Sequence, residues 1–269
     1  MSGRDGSVIV FARNPQRGRV KTRLSVELGE EGTLGLYRAF LRDTLQAARE
    51  SGARVAIALT PGPRPPEAAL ADRVLWQRGV GFGERMDGAL EDLHRTLPPG
   101  SPYVIVGADT PHLAPSRIAR ALRALRGSRV RSVLGPCQRE GFYLLGFRGP
   151  PVPVRQAFKH PRERQEVVRI LREAGRPPRM LPSFFDIDVP ADLHRLSSQL
   201  RGRTSHRDRS WVPRATRDFL LELGWPGHER TRSSWREGLA APVKALALTP
   251  HAGTRMIEES ATPILGSKA

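Results

Sequence analysis

The feature that most constrains this chain is its rhythm: short β-branched runs alternate with amphipathic stretches over the first 200 of 269 residues. Residues 7–13, 54–59, 73–77 and 103–106 read as strands, as do the pair 131–134 and 142–147 and a last strand at Ile187. Between them lie helical periods. Over residues 30–51 the apolar positions Leu34, Tyr37, Phe40, Leu41, Leu45 and Ala48 recur at spacings of three and four, and residues 83–97 do the same through Met86, Leu90, Leu93 and Leu97. Residues 115–126, 161–174 and 191–200 complete the set. Gly52, the proline-rich stretch 61–66 and Pro98-Pro99-Gly100 punctuate the pattern, because neither helix nor ladder continues through them.

Parallel strands need long crossovers, and helices supply them. The expected fold class is therefore α/β, with a mostly parallel sheet and helices on both faces. In open sheets of this kind ligands sit outside the carboxyl ends of the strands, so the loops at 13–23, 107–113 and 136–141 are expected to face one site. Past residue 200 the character changes. Residues 201–210 are polar and charged, a helix is expected over 214–223, and Trp211, Trp225 and Trp235 are candidate anchors. The chain thus divides into a domain over 1–200 and a basic extension over 201–269, partly helical or disordered.

Composition excludes several classes. The longest apolar runs, at 8–12 and 103–106, fall far short of the roughly 18 residues that a membrane span requires. No secretory leader is visible at the N-terminus, and a cytoplasmic location is expected. The single cysteine, Cys137, excludes an intramolecular disulfide and multi-thiolate zinc sites. A net charge of +17 suggests an anionic partner, yet only four of the 44 basic residues are lysines (Lys21, Lys159, Lys244, Lys268). The arginines are scattered and few aromatics interleave with them, so nucleic-acid binding ranks behind a solvated, compositionally biased surface.

Two constellations carry chemistry. After the first strand, Arg13, Arg17, Arg19, Lys21 and Arg23 surround Gly18, which lets backbone and cations approach a phosphate together. This loop is neither a Walker loop nor a dinucleotide fingerprint. Asp109, past the fourth strand and framed by Gly107 and Pro111, is placed to share a hard divalent cation with phosphate oxygens. If 186–188 is a strand, Asp186 and Asp188 share a face and one of them meets Asp109 across the metal. His112 and His160 lack a visible partner and read as turn or surface residues. Cys137, beside Pro136, reads as an apolar filler.

The stretch 8–24 (VIVFARNPQRGRVKTRL) is joined by Gly83-Glu84-Arg85-Met86, Gly107-Ala108-Asp109-Thr110-Pro111-His112-Leu113, Gly135-Pro136 through Gly146, and Asp186-Ile187-Asp188-Val189-Pro190-Ala191-Asp192-Leu193. This ordered set resembles a bacterial family of nucleotide-diphospho-sugar transferase-like proteins with the GT-A fold, the arsenosugar-biosynthesis type of glycosyltransferase. The resemblance implies a nucleotide bound by the first loop, with Arg13, Lys21 and Arg23 the matching cationic positions, and a divalent metal, Mg2+ or Mn2+, at Asp109 assisted by Asp188. From the loop and the spacing, Gly18 and Arg85 are further nucleotide-binding candidates and Asp186 a further metal ligand. The sequence departs from the family where Arg139-Glu140-Gly141-Phe142-Tyr143 replaces an Asp-Gly-Gly-Tyr-Tyr stretch and where Phe158-Lys159-His160 replaces Trp-Ser-Thr. The expected activity is a metal-dependent glycosyltransferase with Asp109, Asp188 and Glu140 as the catalytic candidates; the sequence names no acceptor-activating base, with Glu140 and Asp186 the residues within reach. The alternatives are a nucleotidyltransferase acting on a phosphorylated small molecule, and an inactive nucleotide-binding paralogue.

Overall fold

The computed structural model describes residues 6–127, 129–200 and 211–225; the linker expected at 201–210 and the tail from 226, with Trp235, lie outside the described residues. Seven strands form one sheet: β1 (Ser7–Ala12), β2 (Arg54–Leu59), β3 (Arg73–Trp76), β4 (Pro102–Gly107), β5 (Ser132–Pro136), β6 (Phe142–Arg148) and β7 (Arg179–Met180). Their order is β3-β2-β1-β4-β6-β5-β7. Only β6 runs against its neighbours, pairing antiparallel with β4 and β5, while the other pairings are parallel. The fold is the α/β, mostly parallel arrangement that the alternation predicts.

The side-chain period of two splits β1 between two cores. Val8, Val10 and Ala12 pack on one face against α1 (Ser25–Glu50) and α3 (Pro115–Arg126), through Leu41, Leu45, Ile118 and Leu122. Ile9 points to the other face, against Met86 and Leu90 of α2 (Phe82–His94) and Val167 and Leu171 of α4 (Glu163–Glu173). Both faces of the central strands are covered, which is why β1 and β4 read as continuous apolar runs. No helix among the described residues is long and apolar enough to cross a membrane.

A third core lies on the outer side of α1, where Leu36 and Phe40 meet Ile187, Leu193 and Leu196 around α5 (Pro190–Leu200) and Leu220 of α6 (Arg214–Glu222). The segment 211–225 is therefore part of the packed structure. Gly35 permits this, since a Cβ there would stand 2.5 Å from the Phe219 ring. Asp43 of α1, 4% exposed, accepts hydrogen bonds from the backbone N–H groups of Ala215 (3.0 Å) and Thr216 (2.7 Å), which open α6. A carboxylate from one helix thus satisfies the orphan donors of another.

One expected element is absent. Residues 186–188 form no strand. The segment makes an isolated bridge at Phe184 to Cys137 and one bond from the Ile187 N–H to the Asp109 carbonyl, 2.9 Å. Pro182 and Pro190 bracket it, and proline interrupts a ladder. The last strand is instead β7, two residues long and exposed.

Burial pushes the Asp43 carboxyl up to about 6 from 3.8, against the opposing pull of its hydrogen bonds to Thr216 and Ala215. The folded state therefore binds this proton more tightly than the unfolded chain. The group's contribution to stability is complete below the unfolded value and is lost as pH rises through about 6. Each tenfold gain in proton affinity on folding is worth about 1.4 kcal/mol. In urea unfolding between pH 4 and 7, the stability of the wild type relative to Asp43→Asn is accordingly predicted to fall by about 2 kcal/mol. A difference that stays flat with pH would contradict the buried clamp.

Candidate functional site

The loop after β1 is fastened before it turns. The Asn14 N–H donates to Thr60 Oγ1 (2.9 Å) and its side-chain amide to the Pro63 carbonyl (2.7 Å), tying it to the segment after β2. Gln77 Nε2 donates to the carbonyls of Ala12 (2.9 Å) and Ala58 (2.8 Å), locking the carboxyl ends of β1 and β2 together. From α1, the Tyr37 hydroxyl donates to the Arg13 carbonyl at 3.1 Å, and burial raises its phenol well above the ordinary value. The chain then turns through Gly18 (φ 67°) to Lys21 (φ 44°), the non-glycine residue with left-handed φ among those described.

That conformation costs an L-residue roughly 1–2 kcal/mol, so something must hold it. The Lys21 ammonium, only 6% exposed, lies 3.0 Å from Asp109 Oδ1 and 3.5 Å from Asp188 Oδ1. Arg23 closes on the other oxygen of Asp188 at 2.6 Å. Three loops far apart in sequence are thereby fixed at the carboxyl ends of β1 and β4. Asp188 itself is oriented by Asp192, whose carboxylate accepts the N–H groups of Asp188 and Val189 at 3.0 Å each as α5 begins.

Around this bridge lies a cavity of about 320 Å³. Arg13, Arg19, Lys21, Arg23 and Arg85 line it, facing Asp109 and Asp188. The backbone reaches it where Phe11 and Ala12 end β1, and Tyr37, Thr60 and Gln77 supply neutral polar walls. Arg85 Nε is buried with no hydrogen-bond partner among the described residues. Gly83 lets α2 approach residues 155–158, for a Cβ there would stand 2.7 Å from the Arg155 backbone and from the Phe158 ring. Such a cavity suits a multiply charged anion, since charge-assisted bonds to phosphate oxygens are the strong ones.

Of the residues singled out in the sequence, Arg13, Lys21, Arg23, Arg85, Asp109 and Asp188 come together here. Gly18 does not line this cavity. It makes the turn, and a Cβ on it would stand 3.1 Å from the Glu30 carboxylate, which Arg17 engages. Asp186 and Asp188 do not share a face, because the segment is not a strand: Asp188 lines the first cavity, whereas Asp186 lines a second, of about 230 Å³, with Glu140 and Asp109. Burial raises the Asp186 carboxyl, and Lys21 opposes the rise. No three His, Cys, Asp or Glu side chains among the described residues are grouped to hold an ion. A divalent cation here would depend on oxygens brought by a ligand, which is how Mg2+ is usually held.

The remaining candidates have structural surroundings. Cys137 is 5% exposed, and burial, then the charges of Asp186 and Asp109, push its thiol up to about 12. It is not a thiolate at neutral pH. His112 stacks 4.5 Å from Phe184 and 4.2 Å from Phe185, while His160 is exposed near Glu166. Gln77, Phe82, Phe158 and Glu163 also line the two cavities, and the sequence alone assigns a site role to none of them. Gln77 and Phe158 carry no local signal, and Phe82 and Glu163 join the cavity through the packing of α2 and α4 rather than through their own motifs.

Residues 43–162 match a family described as an uncharacterized protein conserved in bacteria (DUF2064), in agreement with the resemblance carried by the motifs. Among solved structures, the chain is similar to a candidate nucleotide-diphospho-sugar transferase from Desulfovibrio desulfuricans G20. The two are 26% identical with a TM-score of 0.69, over 86% of this chain and 97% of that one. A 4-diphosphocytidyl-2C-methyl-D-erythritol synthase from Anaerococcus prevotii DSM 20548 aligns at 10% identity and TM-score 0.47, over 73% of this chain and 97% of that one. A manganese complex of Rv0371c from Mycobacterium tuberculosis H37Rv aligns at 16% identity and TM-score 0.41, over 71% and 96%. No protein of curated function matches the sequence.

The left-handed backbone at Lys21 is open to a direct check. Lys21→Gly and Lys21→Ala both remove the ammonium, but glycine adopts this φ without penalty. The glycine variant is predicted to be the more stable by about 1 kcal/mol in urea unfolding. Equal stabilities, or alanine ahead, would contradict the geometry.

Proposed function

We propose that the chain is a glycosyltransferase-like enzyme that binds a nucleoside-diphosphate sugar with its diphosphate in the basic cavity. The observation that carries this reading is the set of cations from the β1 loop and α2, Arg13, Arg19, Lys21, Arg23 and Arg85, converging on one cavity with a carboxylate, Asp109, at its edge. The similarity to the Desulfovibrio protein, named as a candidate nucleotide-diphospho-sugar transferase, supports it. The family resemblance of the ordered motifs points the same way.

In this reading the ordered backbone at 12–14 and the polar groups of Thr60 and Gln77 receive the nucleoside, and the arginines grip the phosphates. Asp109 would hold a divalent cation, Mg2+ or Mn2+, together with phosphate oxygens; when bound, such an ion neutralises charge on the departing diphosphate. Lys21 holds Asp109 and Asp188 in place before any ligand arrives, so that little reorganisation is needed as charge develops. The acceptor's nucleophilic atom forms a bond to the anomeric carbon while the bond from that carbon to the diphosphate oxygen breaks. Its proton passes to a carboxylate of the second cavity, Glu140 or Asp186. The product leaves with the sugar, and the nucleoside diphosphate carries the electron pair of the broken bond.

Ligand that binds only the folded state raises its stability by about 2.7 kcal/mol at 100 times Kd. Thermal unfolding with nucleoside-diphosphate sugars and Mn2+ is therefore predicted to shift Tm upward by several degrees. Asp109→Ala removes the cation-dependent part of the shift. Arg23→Gln and Arg85→Gln each weaken nucleotide binding by about tenfold or more, the worth of a charged hydrogen bond. No shift with any nucleotide sugar, or one unaffected by the two arginine substitutions, would refute the assignment.

A further inference from the structure

The second cavity opens from the first across Phe11, Phe82 and Asp109, which line both. Its electrostatics are inverted. Asp109, Glu140, Glu163 and Asp186 line it, and no arginine or lysine does among the described residues. The cations around the 137–141 loop are engaged elsewhere. Arg139 lies 2.5 Å from Asp192, and Arg164 donates to the carbonyls of Cys137 (2.9 Å) and Arg139 (3.0 Å). Arg155 and Lys159 line an adjoining hollow that shares Glu163, Phe82 and Phe158 but not Glu140, Asp186 or Asp109.

The rest of the wall is aromatic. Phe82 meets Phe11 edge-on at 5.4 Å and Phe158 at 4.9 Å, and Phe142 stands 6.1 Å from Phe158. Ring faces and edges at this spacing clasp a flat or apolar body, and they also favour a cation over an anion. Burial, and next the charge of Glu140, raise the Glu163 carboxyl. Glu163 thus sits in this lining beside another carboxylate and no basic side chain, where a cation brought by a ligand would be its partner.

We propose that this second cavity receives the acceptor, and that the acceptor is an amine-bearing small molecule with an apolar body rather than a phosphate ester. The carboxylates receive the ammonium group, the four phenylalanines enclose the body, and the nucleophilic atom is presented to the donor beside Asp109. The proposal rests on the nucleotide reading of the first cavity. It also separates two chemistries that one fold can serve, because an acceptor whose own phosphate attacks a nucleoside triphosphate would bring its anion among four carboxylates.

The test uses three probes of one shape: 2-phenylethylammonium, 2-phenylethanol and phenyl phosphate. Each is titrated by ligand-observed NMR into the full chain, alone and saturated with whichever of ADP, CDP, GDP and UDP raises Tm most in the presence of Mn2+. The ammonium is expected to bind at least about tenfold more tightly than phenyl phosphate, as one charged hydrogen bond would provide. Glu163→Gln is expected to weaken the ammonium about tenfold while leaving 2-phenylethanol and the nucleotide unchanged. Phe158→Ala weakens ammonium and alcohol alike. If Glu163→Gln fails to fold, Glu140→Gln on the exposed loop serves in its place. Phenyl phosphate binding as tightly as the ammonium, an ammonium affinity indifferent to the carboxylate substitution, or no probe binding at all overturns the proposal. Failure of every nucleotide to bind overturns the reading of the first cavity instead, and the probe titrations on the protein alone still report on the second.

Discussion

The ammonium of Lys21 is the contact on which the site depends. It joins the loop after β1 to Asp109 after β4 and to Asp188 before α5, at 3.0 and 3.5 Å. Without it, Asp109 would lose its ion pair to the loop after β1, and Asp188 would be held by Arg23 and by the Asp192 clasp on its backbone, with no bridge between the two carboxylates. The residue type matters. In a chain with four lysines among 44 basic residues, the position between these carboxylates is held by a lysine. A compact ammonium fits a nearly buried gap between two oxygens, where a planar guanidinium would need a wider opening and a forked partner. The left-handed backbone at the same residue delivers the side chain to that gap, and the ion pairs offset its conformational cost.

From that contact follows a division of charge. On one side of Asp109 the cavity is cationic, and on the other it is carboxylate-rich and aromatic. Asp109 is the hinge of this polarity, since it lines both spaces and is 47% exposed. Among the described residues, five cations line the first cavity, and neither arginine nor lysine lines the second. The overall basicity, largely arginine, is a poor guide to the site by comparison. What distinguishes the cavity is the convergence of five cations held by a fixed backbone, and a field of that kind concentrates an anionic ligand.

The fold was legible because each helix and each central strand obeys its own period: residues 115–126 and 54–59 coincide with α3 and β2 as expected. The late segment misled because Ile187 is buried and flanked by acidic residues, which imitates an alternating strand. Its neighbours in space are a single carbonyl and the core around α5, and flanking prolines leave no ladder to join. The two-residue β7 gave no signal because both its residues are exposed. In the site, the basic loop and Asp109 announced themselves through local composition. The aromatic wall did not, because Phe11, Phe82 and Phe158 come from three segments whose meeting depends on the fold, and each alone is an ordinary apolar residue. The closure of α6 onto α1 was hidden for the same reason: the apolar run at 219–221 indicates a helix but not that Asp43 waits for its first N–H groups.

The central claim is positional, and a crystal structure with a nucleoside diphosphate and Mn2+ tests it most directly, through difference density for the phosphates and anomalous signal for the metal. The account predicts the diphosphate within hydrogen-bonding distance of Arg23 and Arg85 in the basic cavity, with manganese between a phosphate oxygen and Asp109. Phosphates lodged among Glu140, Glu163 and Asp186, or a nucleotide bound away from Lys21 altogether, would contradict it.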